Sequence, residues 1–174
     1  MSKNQFNLVT TLLSLVLLLI GCSSKDPERF YSSKDDFSMK FPKEWDNREG
    51  YEGLSVVSLS PFENSADEFH EEVEVSVEQL PAMELDEYFV AYIDKFKQVP
   101  PDFQENDRGI AYLGDTEAKW FTYTARVLSL PVKAKKYITV HDKRAYVITC
   151  TATTDNFDRY KGAFDAIAQS IEFE

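Results

Sequence analysis

The 174-residue chain is poor in residues on which much protein chemistry depends, with 2 Cys, 2 His and 6 Gly. Two cysteines cannot form the disulfide framework of a small secreted domain. Two histidines leave little material for a metal site or a histidine-based catalytic triad. The few glycines form no phosphate-cradling loop, and no Gly-x-Ser-x-Gly nucleophile motif is present. The composition therefore gives no support to several common classes of enzyme.

Basic residues are also scarce, since 19 Lys and Arg face 30 Asp and Glu and the formal net charge is −11. Binding to nucleic acid requires a basic surface, so we predict no nucleic acid partner. Apolar material is abundant, because 43% of the residues are hydrophobic and 14% are aromatic. A chain of this length and composition can bury the core of one domain and is not expected to be disordered.

The first residues of the chain have the pattern of a targeting signal. An apolar stretch of 13 residues runs from Leu8 to Ile20. It is shorter than the roughly 20 residues of a membrane-spanning helix and fits the roughly 7–15 of a signal peptide. The stretch ends at Leu19-Ile20-Gly21-Cys22, which resembles the lipobox of bacterial lipoproteins. We therefore predict a signal peptide over residues 1–21 and lipidation of Cys22 by palmitate or similar chains, the alternative being a buried apolar helix with a chance cysteine.

A lipid on Cys22 implies a bacterial membrane protein that faces away from the cytoplasm. Ser23 follows the cysteine, and by analogy with bacteria that have two membranes this residue favours the periplasmic side of the outer membrane. Removal of residues 1–21 takes away one charged residue, Lys3. The remaining acidic chain would be repelled by anionic lipid, so the anchor alone would hold it. We predict that residues 22–35 form the lipidated cysteine and a polar tether, in which Phe30 and Tyr31 are exceptions that could start the fold, and that residues 36–174 form a single domain.

Hydrophobic periodicity predicts a mixture of strands and helices in that domain. Val73, Val75 and Val77 alternate with polar residues, as in a half-buried strand. Leu85 to Phe96 has the i, i+3, i+4, i+7 spacing of an amphipathic helix, and Phe157 to Ala168 forms a second one. Thr154 or Asp155 is expected to cap the second helix. The remaining predicted strands are 37–41, 54–60, 103–108, 109–114, 118–128, 132–140, 145–152 and 171–173.

These elements together predict the α+β class. The turn at His141-Asp142-Lys143 joins two strands into a hairpin, and short connections of this kind make a sheet antiparallel. Two amphipathic helices each need an apolar surface to cover. We therefore expect an antiparallel β-sheet flanked by helices.

Several motifs occur in a particular order along the chain. They are Phe30-Tyr31, Phe37-Ser38-Met39-Lys40-Phe41-Pro42-x-x-Trp45, Ser60-Pro61, Leu85-x-x-Tyr88, Gly114, Tyr146-Val147-Ile148-Thr149, Phe157-x-x-Tyr160 and Ser170-Ile171-x-Phe173. Together they resemble the PsbP-like family, which includes many bacterial lipoproteins. The resemblance implies an α/β/α sandwich around an antiparallel sheet. It also implies action by binding rather than turnover, as in the extrinsic proteins of photosystem II and in a eukaryotic relative that binds a small GTPase. The family supplies no catalytic residue, and nothing in this sequence points to photosynthesis.

The sequence offers one candidate metal site and one candidate nucleophile. His70 and Glu72 are two residues apart, share a strand face and could ligate a metal, with His141 and Asp142 as further ligands. The alternative is a solvated acidic loop in which the histidine has no ligand role. We predict no metal and no other cofactor. Cys150 is expected to be a buried strand thiol and not a nucleophile, since a reactive thiol needs a basic partner and exposure.

Five basic residues cluster in sequence around one hairpin and form a candidate partner patch. In an acidic domain such a patch could receive an acidic partner or a phosphate-bearing lipid headgroup. The alternative is a solvated hairpin face whose charges deter edge pairing. The residues are Lys133, Lys135, Lys136, Lys143 and Arg144.

The sequence thus favours a lipid-anchored protein of the cell envelope that acts as a non-catalytic binding or assembly module. Its partner would be another envelope protein. The alternatives are an envelope hydrolase that uses carboxylates or a metal, and a photosystem II-associated lipoprotein. A small-ligand carrier would require an apolar cavity.

Overall fold

The computed structural model describes residues 28–174, so the predicted signal peptide and Cys22 lie outside the described residues. The described part contains ten β-strands, two α-helices and one short 3-10 helix. The strands are β1 Glu28–Ser32, β2 Phe37–Phe41, β3 Asp46–Glu49, β4 Val56–Leu59, β5 Glu72–Gln79, β6 Gln104–Leu113, β7 Thr116–Val127, β8 Leu130–His141, β9 Arg144–Thr153 and β10 Glu172–Phe173. The helices are α1 Leu85–Phe96 and α2 Phe157–Gln169, and the 3-10 helix is Tyr51–Gly53.

The central layer is a seven-stranded antiparallel sheet with the order β3-β4-β5-β9-β8-β7-β6. β9 lies in its middle, and both of its faces are buried. The pairing register places Glu74 of β5 beside Thr149 of β9, and Thr149 beside Lys136 of β8. Because side chains alternate across a pleated strand, these three residues lie in one row on the same face of the sheet.

One face of this sheet is covered by α2 and by a small second sheet with the order β1-β2-β10. Val73 and Val75 of β5 point to this side and are fully buried. Phe164 of α2 is also fully buried, and Phe37 and Phe41 bring the small sheet into the same core. This face therefore holds a continuous aromatic and aliphatic core.

The opposite face is covered by α1, which packs over β7 and β8. Tyr88, Phe89 and Ile93 form the buried side of the helix and contact a cluster that includes Phe121 and Ile138 of the sheet. The even-numbered residues of β5 also belong to this face, because Val73 and Val75 point to the α2 side. The polar residues of β5 therefore lie next to α1.

The predicted α+β class is confirmed, and helices on both faces of the antiparallel sheet give the expected α/β/α layering. The helix predicted for Leu85 to Phe96 has those bounds. The turn predicted at residues 141–143 joins β8 to β9, with Asp142 and Lys143 both at positive φ, as in the tight turns of hairpins.

Four details differ from the sequence prediction. The tether predicted for residues 22–35 extends too far, because Glu28–Ser32 forms β1 and pairs with β2 through backbone hydrogen bonds. β3 was not expected, since all four of its residues are polar and exposed. Residues 104–113 form one strand in place of two. The residue before α2 is Asn156, not Thr154 or Asp155, and its side chain makes no cap hydrogen bond.

Candidate functional site

A groove lies beside α1 in the part of the chain that the structure describes. Two cavities of about 380 Å³ and 310 Å³ adjoin there, since Phe96 and Val99 line both of them. Such volumes lie at the lower end of the range for ligand pockets. We call this feature the α1 groove and define it by Glu72, Glu74, Glu78, Tyr88, Tyr92, Lys95, Phe96, Val99, Tyr123 and Lys136.

Strand and helix periodicity bring these side chains together. Glu72, Glu74 and Glu78 project from the same face of β5 because they differ by even numbers of residues. Tyr88, Tyr92 and Phe96 of α1 are spaced by four residues, so they follow one side of the helix. The groove therefore has a carboxylate wall from β5 and an aromatic wall from α1.

A buried lysine, Lys136 of β8, lies at the base of the α1 groove. Its side-chain Nζ donates a hydrogen bond of 2.6 Å to Thr149 Oγ1. The same Nζ is 4.5 Å from the centre of the Phe96 ring and 5.9 Å from that of Tyr92. A cation over an aromatic face is attracted by the ring quadrupole. The ammonium is thus held by one hydroxyl and two aromatic rings.

The electrostatic balance around this lysine is unusual. Burial, together with the nearby charge of Glu74, raises the pKa of Glu72 to about 7. Burial also raises the pKa of Glu74. Burial lowers the pKa of Lys136 to about 8, although the charges of Glu74 and Glu72 act in the opposite direction. Two partly buried carboxylates therefore feel the charge of one desolvated ammonium that hydrogen-bonds to Thr149, and perturbed groups of this kind cluster at functional sites.

Tyrosines complete the polar lining of the groove. Tyr88 donates a hydrogen bond of 2.9 Å from its hydroxyl to a carboxylate oxygen of Glu78. Burial raises the pKa of Tyr88, Tyr92 and Tyr123 well above the usual value. These phenols therefore remain protonated at all physiological pH values and act as neutral aromatic surface with polar tips.

The open end of the α1 groove has an apolar rim. Val99 is 72% exposed and Val127 is 44% exposed, and both line the smaller cavity. Leu128 follows Val127 at the tip of the β7–β8 hairpin and is 95% exposed, with a positive φ of 47°. A leucine in the left-handed region is uncommon, and exposed apolar groups beside a cavity indicate an interaction surface.

The structure does not bring the predicted metal ligands together. His70 contacts the carbonyl oxygen of Ser60 through Nδ1 and stacks on Phe62. Glu72 faces the α1 groove, whereas His141 stacks on Phe173 at another part of the molecule. Within residues 28–174 no group of three or more His, Cys, Asp or Glu side chains is placed to hold a metal ion. His70 precedes the strand, since β5 begins at Glu72.

The five basic residues do not form one surface patch, and this prediction is corrected. Lys135 and Lys136 are adjacent in β8 and point to opposite faces, and both are buried. Lys135 donates to Asp165 at 3.0 Å on the α2 side, where Lys133 lies over the Phe157 ring. Arg144 pairs with Asp36, whereas Lys143 is exposed. The pleat of the strand and local partners therefore disperse the charges.

Two further observations concern candidate chemistry and membrane crossing. Cys150 is fully buried, as predicted, and burial raises the pKa of its thiol, so the thiol is a poor nucleophile. Neither of the helices between residues 28 and 174 is long and apolar enough to span a membrane.

Sequence reasoning missed the combination of Glu72, Glu74 and Lys136. The alternation of β5 predicts only that Glu74 lies on the polar side of a strand, and the sequence places Lys136 only in a basic patch. The available signal was a set of polar residues inside otherwise apolar strands, at positions 136, 149 and 151. Their convergence on β5 depends on the order β5-β9-β8, which periodicity does not provide.

Comparison with known proteins identifies similar folds but no relative that is recognisable by sequence. No protein-family model and no curated protein sequence matches the chain. Similar solved structures include cyanobacterial PsbP (CyanoP) from Synechocystis sp. PCC 6803, with 16% identity and a TM-score of 0.62 over 88% of this chain and 96% of that chain.

Two other similar structures come from different bacteria. LpqN, involved in cell envelope biogenesis of Mycobacterium tuberculosis, has 10% identity and a TM-score of 0.62 over 83% of each chain. A Pseudomonas aeruginosa protein of unknown function, described as a putative regulator, has 11% identity and a TM-score of 0.60 over 83% of this chain and 95% of that chain. At these identities the likeness concerns the fold, and its extent over both chains agrees with the resemblance found in the sequence. The chain therefore has the PsbP-like fold.

Proposed function

We propose that this chain is a lipid-anchored, non-catalytic binding module of the bacterial cell envelope, and that it engages another envelope protein through the α1 groove. Support for the envelope comes from the lipobox-like sequence before Cys22. The similar fold of LpqN, a protein involved in cell envelope biogenesis, agrees with this location. The observation that carries the binding role is the groove itself, which combines exposed apolar groups with partly buried charges.

The character of the groove favours a binding surface over an active site. Val99 and Val127 expose apolar area where they line the smaller cavity, and Leu128 follows them at the hairpin tip, so exposed apolar groups are concentrated beside the groove. The groove contains no histidine, and the one thiol that the structure describes, Cys150, belongs to the core on the opposite face. Apolar contact area with a few placed charges is typical of protein interfaces.

A hydrolase is the second candidate, because the glutamates of the groove are perturbed. Burial raises the pKa of Glu72 to about 7, where a carboxyl group can act as a general acid. Turnover of a chromogenic glycoside or ester by the wild type that is lost in Glu72→Gln would establish this function instead. The photosystem II alternative rests on a shared fold alone.

A matched pair of valine variants tests the binding role. Val99 and Val90 are both exposed, at 72% and 58%, but only Val99 lines the α1 groove. We expect Val99→Asp to reduce the recovery of partner protein by about tenfold, because it places a charge on the apolar rim. Val90→Asp should leave recovery unchanged. The measurement is quantitative mass spectrometry after affinity capture from detergent-solubilised envelope.

The result of this capture contradicts the proposal if both variants recover the same proteins in the same amounts as the wild type. Circular dichroism and thermal unfolding of both variants confirm that each is folded. A loss of recovery in Val90→Asp but not in Val99→Asp would place the interface on the other side of α1.

The anchor is tested at Cys22. Radiolabelled palmitate should enter the wild type and should not enter Cys22→Ala, because the thiol is the predicted acylation site. Cys150→Ala is the matched control and should be labelled like the wild type, since Cys150 is fully buried. Equal labelling of the wild type and Cys22→Ala would remove the anchor from the proposed function.

A further inference from the structure

We propose that the α1 groove binds a peptide segment of its partner in which a lysine or arginine is flanked by apolar residues. This inference rests on the proposed function, because it names the chemistry of the partner that the same groove engages. It follows from the charges, the aromatic wall and the apolar rim of the groove.

The first argument is the unbalanced charge on the β5 wall. Glu72 and Glu74 face the smaller cavity, and Glu78 lines the larger one together with Lys95 of α1, so three carboxylates face two lysines in the lining of the two cavities. Lys136 is the one cation of the described residues that lowers the pKa of both Glu72 and Glu74. Its ammonium already donates to Thr149 and lies over the Phe96 ring. An additional cation would therefore relieve the repulsion between two partly desolvated carboxylates.

The second argument is the aromatic wall opposite these carboxylates. Tyr92 and Phe96 stack on each other at 5.7 Å and follow the groove side of α1. A guanidinium or ammonium between this wall and β5 would meet ring faces on one side and carboxylates on the other. Cation–π attraction strengthens as the site loses water, which distinguishes such a groove from an exposed acidic surface.

The third argument concerns the apolar residues at both ends of the groove. Val99, Pro100 and Val127 surround the smaller cavity, and Leu80, Pro81 and Met83 line the larger one. A lysine or arginine alone would leave these groups exposed to water. Neighbouring apolar side chains of an extended segment would cover them, and Met83 offers an adaptable contact.

The overall charge of the protein favours the same partner. The formal net charge of −11 would steer a basic segment toward the molecule and repel an acidic one. This long-range attraction acts everywhere on the surface, so the experiment must separate it from recognition inside the groove.

Fluorescence anisotropy with defined peptides makes this separation. The probe is a fluorescein-labelled nonapeptide of alternating leucine and lysine, and comparison peptides replace lysine with glutamine or glutamate. The protein is the full chain in a nonionic detergent. We expect the lysine peptide to bind at least tenfold more tightly than the glutamine peptide, and the glutamate peptide to show no binding.

Two double variants, each replacing two carboxylates by amides, provide the control, and binding is measured at pH 8, above the raised pKa of Glu72. Glu72→Gln/Glu74→Gln removes the carboxylates of the groove and should weaken binding of the lysine peptide by about tenfold or more. Glu44→Gln/Asp115→Asn removes two exposed carboxylates that line neither cavity and should change the affinity by less than about twofold. Equal losses in the two variants would show long-range attraction only and would overturn the inference.

The remaining outcomes separate this inference from the proposed function. If the glutamine and lysine peptides bind equally, the groove does not select a cation and the inference is wrong. If no peptide binds while capture of a partner still depends on Val99, the inference fails and the proposed function stands. If capture does not depend on Val99, the proposed function itself fails.

Discussion

Phe164→Ala is expected to lower the free energy of unfolding by about 4 kcal/mol. Phe164 is fully buried in α2, and its ring centre lies 6.4 Å from that of Trp45 and 6.0 Å from that of Phe157. The substitution removes the aromatic contacts and leaves a cavity in a core that is closed by the second sheet. Large-to-small changes of this kind cost about 3–5 kcal/mol. Urea unfolding followed by tryptophan fluorescence measures the effect.

Phe62→Ala is the matched control, since Phe62 is 52% exposed and stacks on His70. It should cost less than about 1 kcal/mol. Phe164 belongs to the core on the face opposite the α1 groove, so Phe164→Ala should keep its affinity for the lysine peptide under conditions where it is folded. Equal destabilisation by the two substitutions would contradict the description of the α2 core.

The parts of the fold that depend on local periodicity could be predicted from the sequence. The bounds of α1 were correct because the apolar spacing is helical between Leu85 and Phe96 and because prolines flank it. The alternation of Val73, Val75 and Val77 likewise identified β5. In both cases the spacing of apolar and polar residues within the element is enough, and the segments that pack against it need not be known.

The strands at the margins could not be predicted in this way. β3 consists of Asp46, Asn47, Arg48 and Glu49, which are all exposed, so it has no apolar alternation. It is a strand because its backbone pairs with β4 at the edge of the large sheet. β1 contains Phe30 and Tyr31 within a mostly polar stretch, and it is held by pairing with β2 and by the packing of Phe30 on the core. Backbone pairing with a partner leaves little trace in side-chain pattern.

The interpretation of the lysines shows a different limit. Lys135 and Lys136 are neighbours in sequence, yet one donates to Asp165 on the α2 side and the other donates to Thr149 on the α1 side. Proximity in sequence suggested a patch, whereas the pleat places successive side chains on opposite faces. The alternation of side chains along the predicted strand already assigns the two lysines to opposite faces of the sheet.

The candidate site depends on information that the sequence pattern lacks. Glu74 and Lys136 are far apart in the chain, and they meet because β9 lies between β5 and β8. Hairpin spacing predicted the β8–β9 pair, but the β5–β9 pair crosses over α1 and three strands. The polar row across the sheet could be recognised only once this order was known.

Glu72→Gln is expected to stabilise the protein by about 2 kcal/mol at pH 8 and to have little effect at pH 4. Burial raises the pKa of Glu72 from 4.5 to about 7. Below pH 4.5 the carboxyl is protonated in both states. Between pH 4.5 and 7 the unfolded chain releases this proton while the folded protein keeps it, so the free energy of unfolding falls as pH rises. Because the side chain is partly exposed, solvent screening makes the expected stabilisation smaller than the full pKa change would give.

Chemical unfolding at pH 4, 6 and 8 tests this linkage, with Glu117→Gln on β7 as the control. Glu117 is exposed, and its substitution should shift the pH profile by less than about 0.5 kcal/mol. Parallel profiles for the wild type and Glu72→Gln would show that Glu72 has an ordinary pKa and would contradict the electrostatic description of the groove.

The same residue separates a structural role from a functional one. When a side chain that stabilises the fold is replaced, the protein becomes less stable. Replacement of Glu72 by glutamine is instead expected to make the protein more stable. Natural proteins retain such strained groups where binding or catalysis requires them. A Glu72→Gln protein that is more stable at pH 8 and also binds the lysine peptide more weakly would therefore assign the carboxylate to recognition, because packing alone predicts neither change.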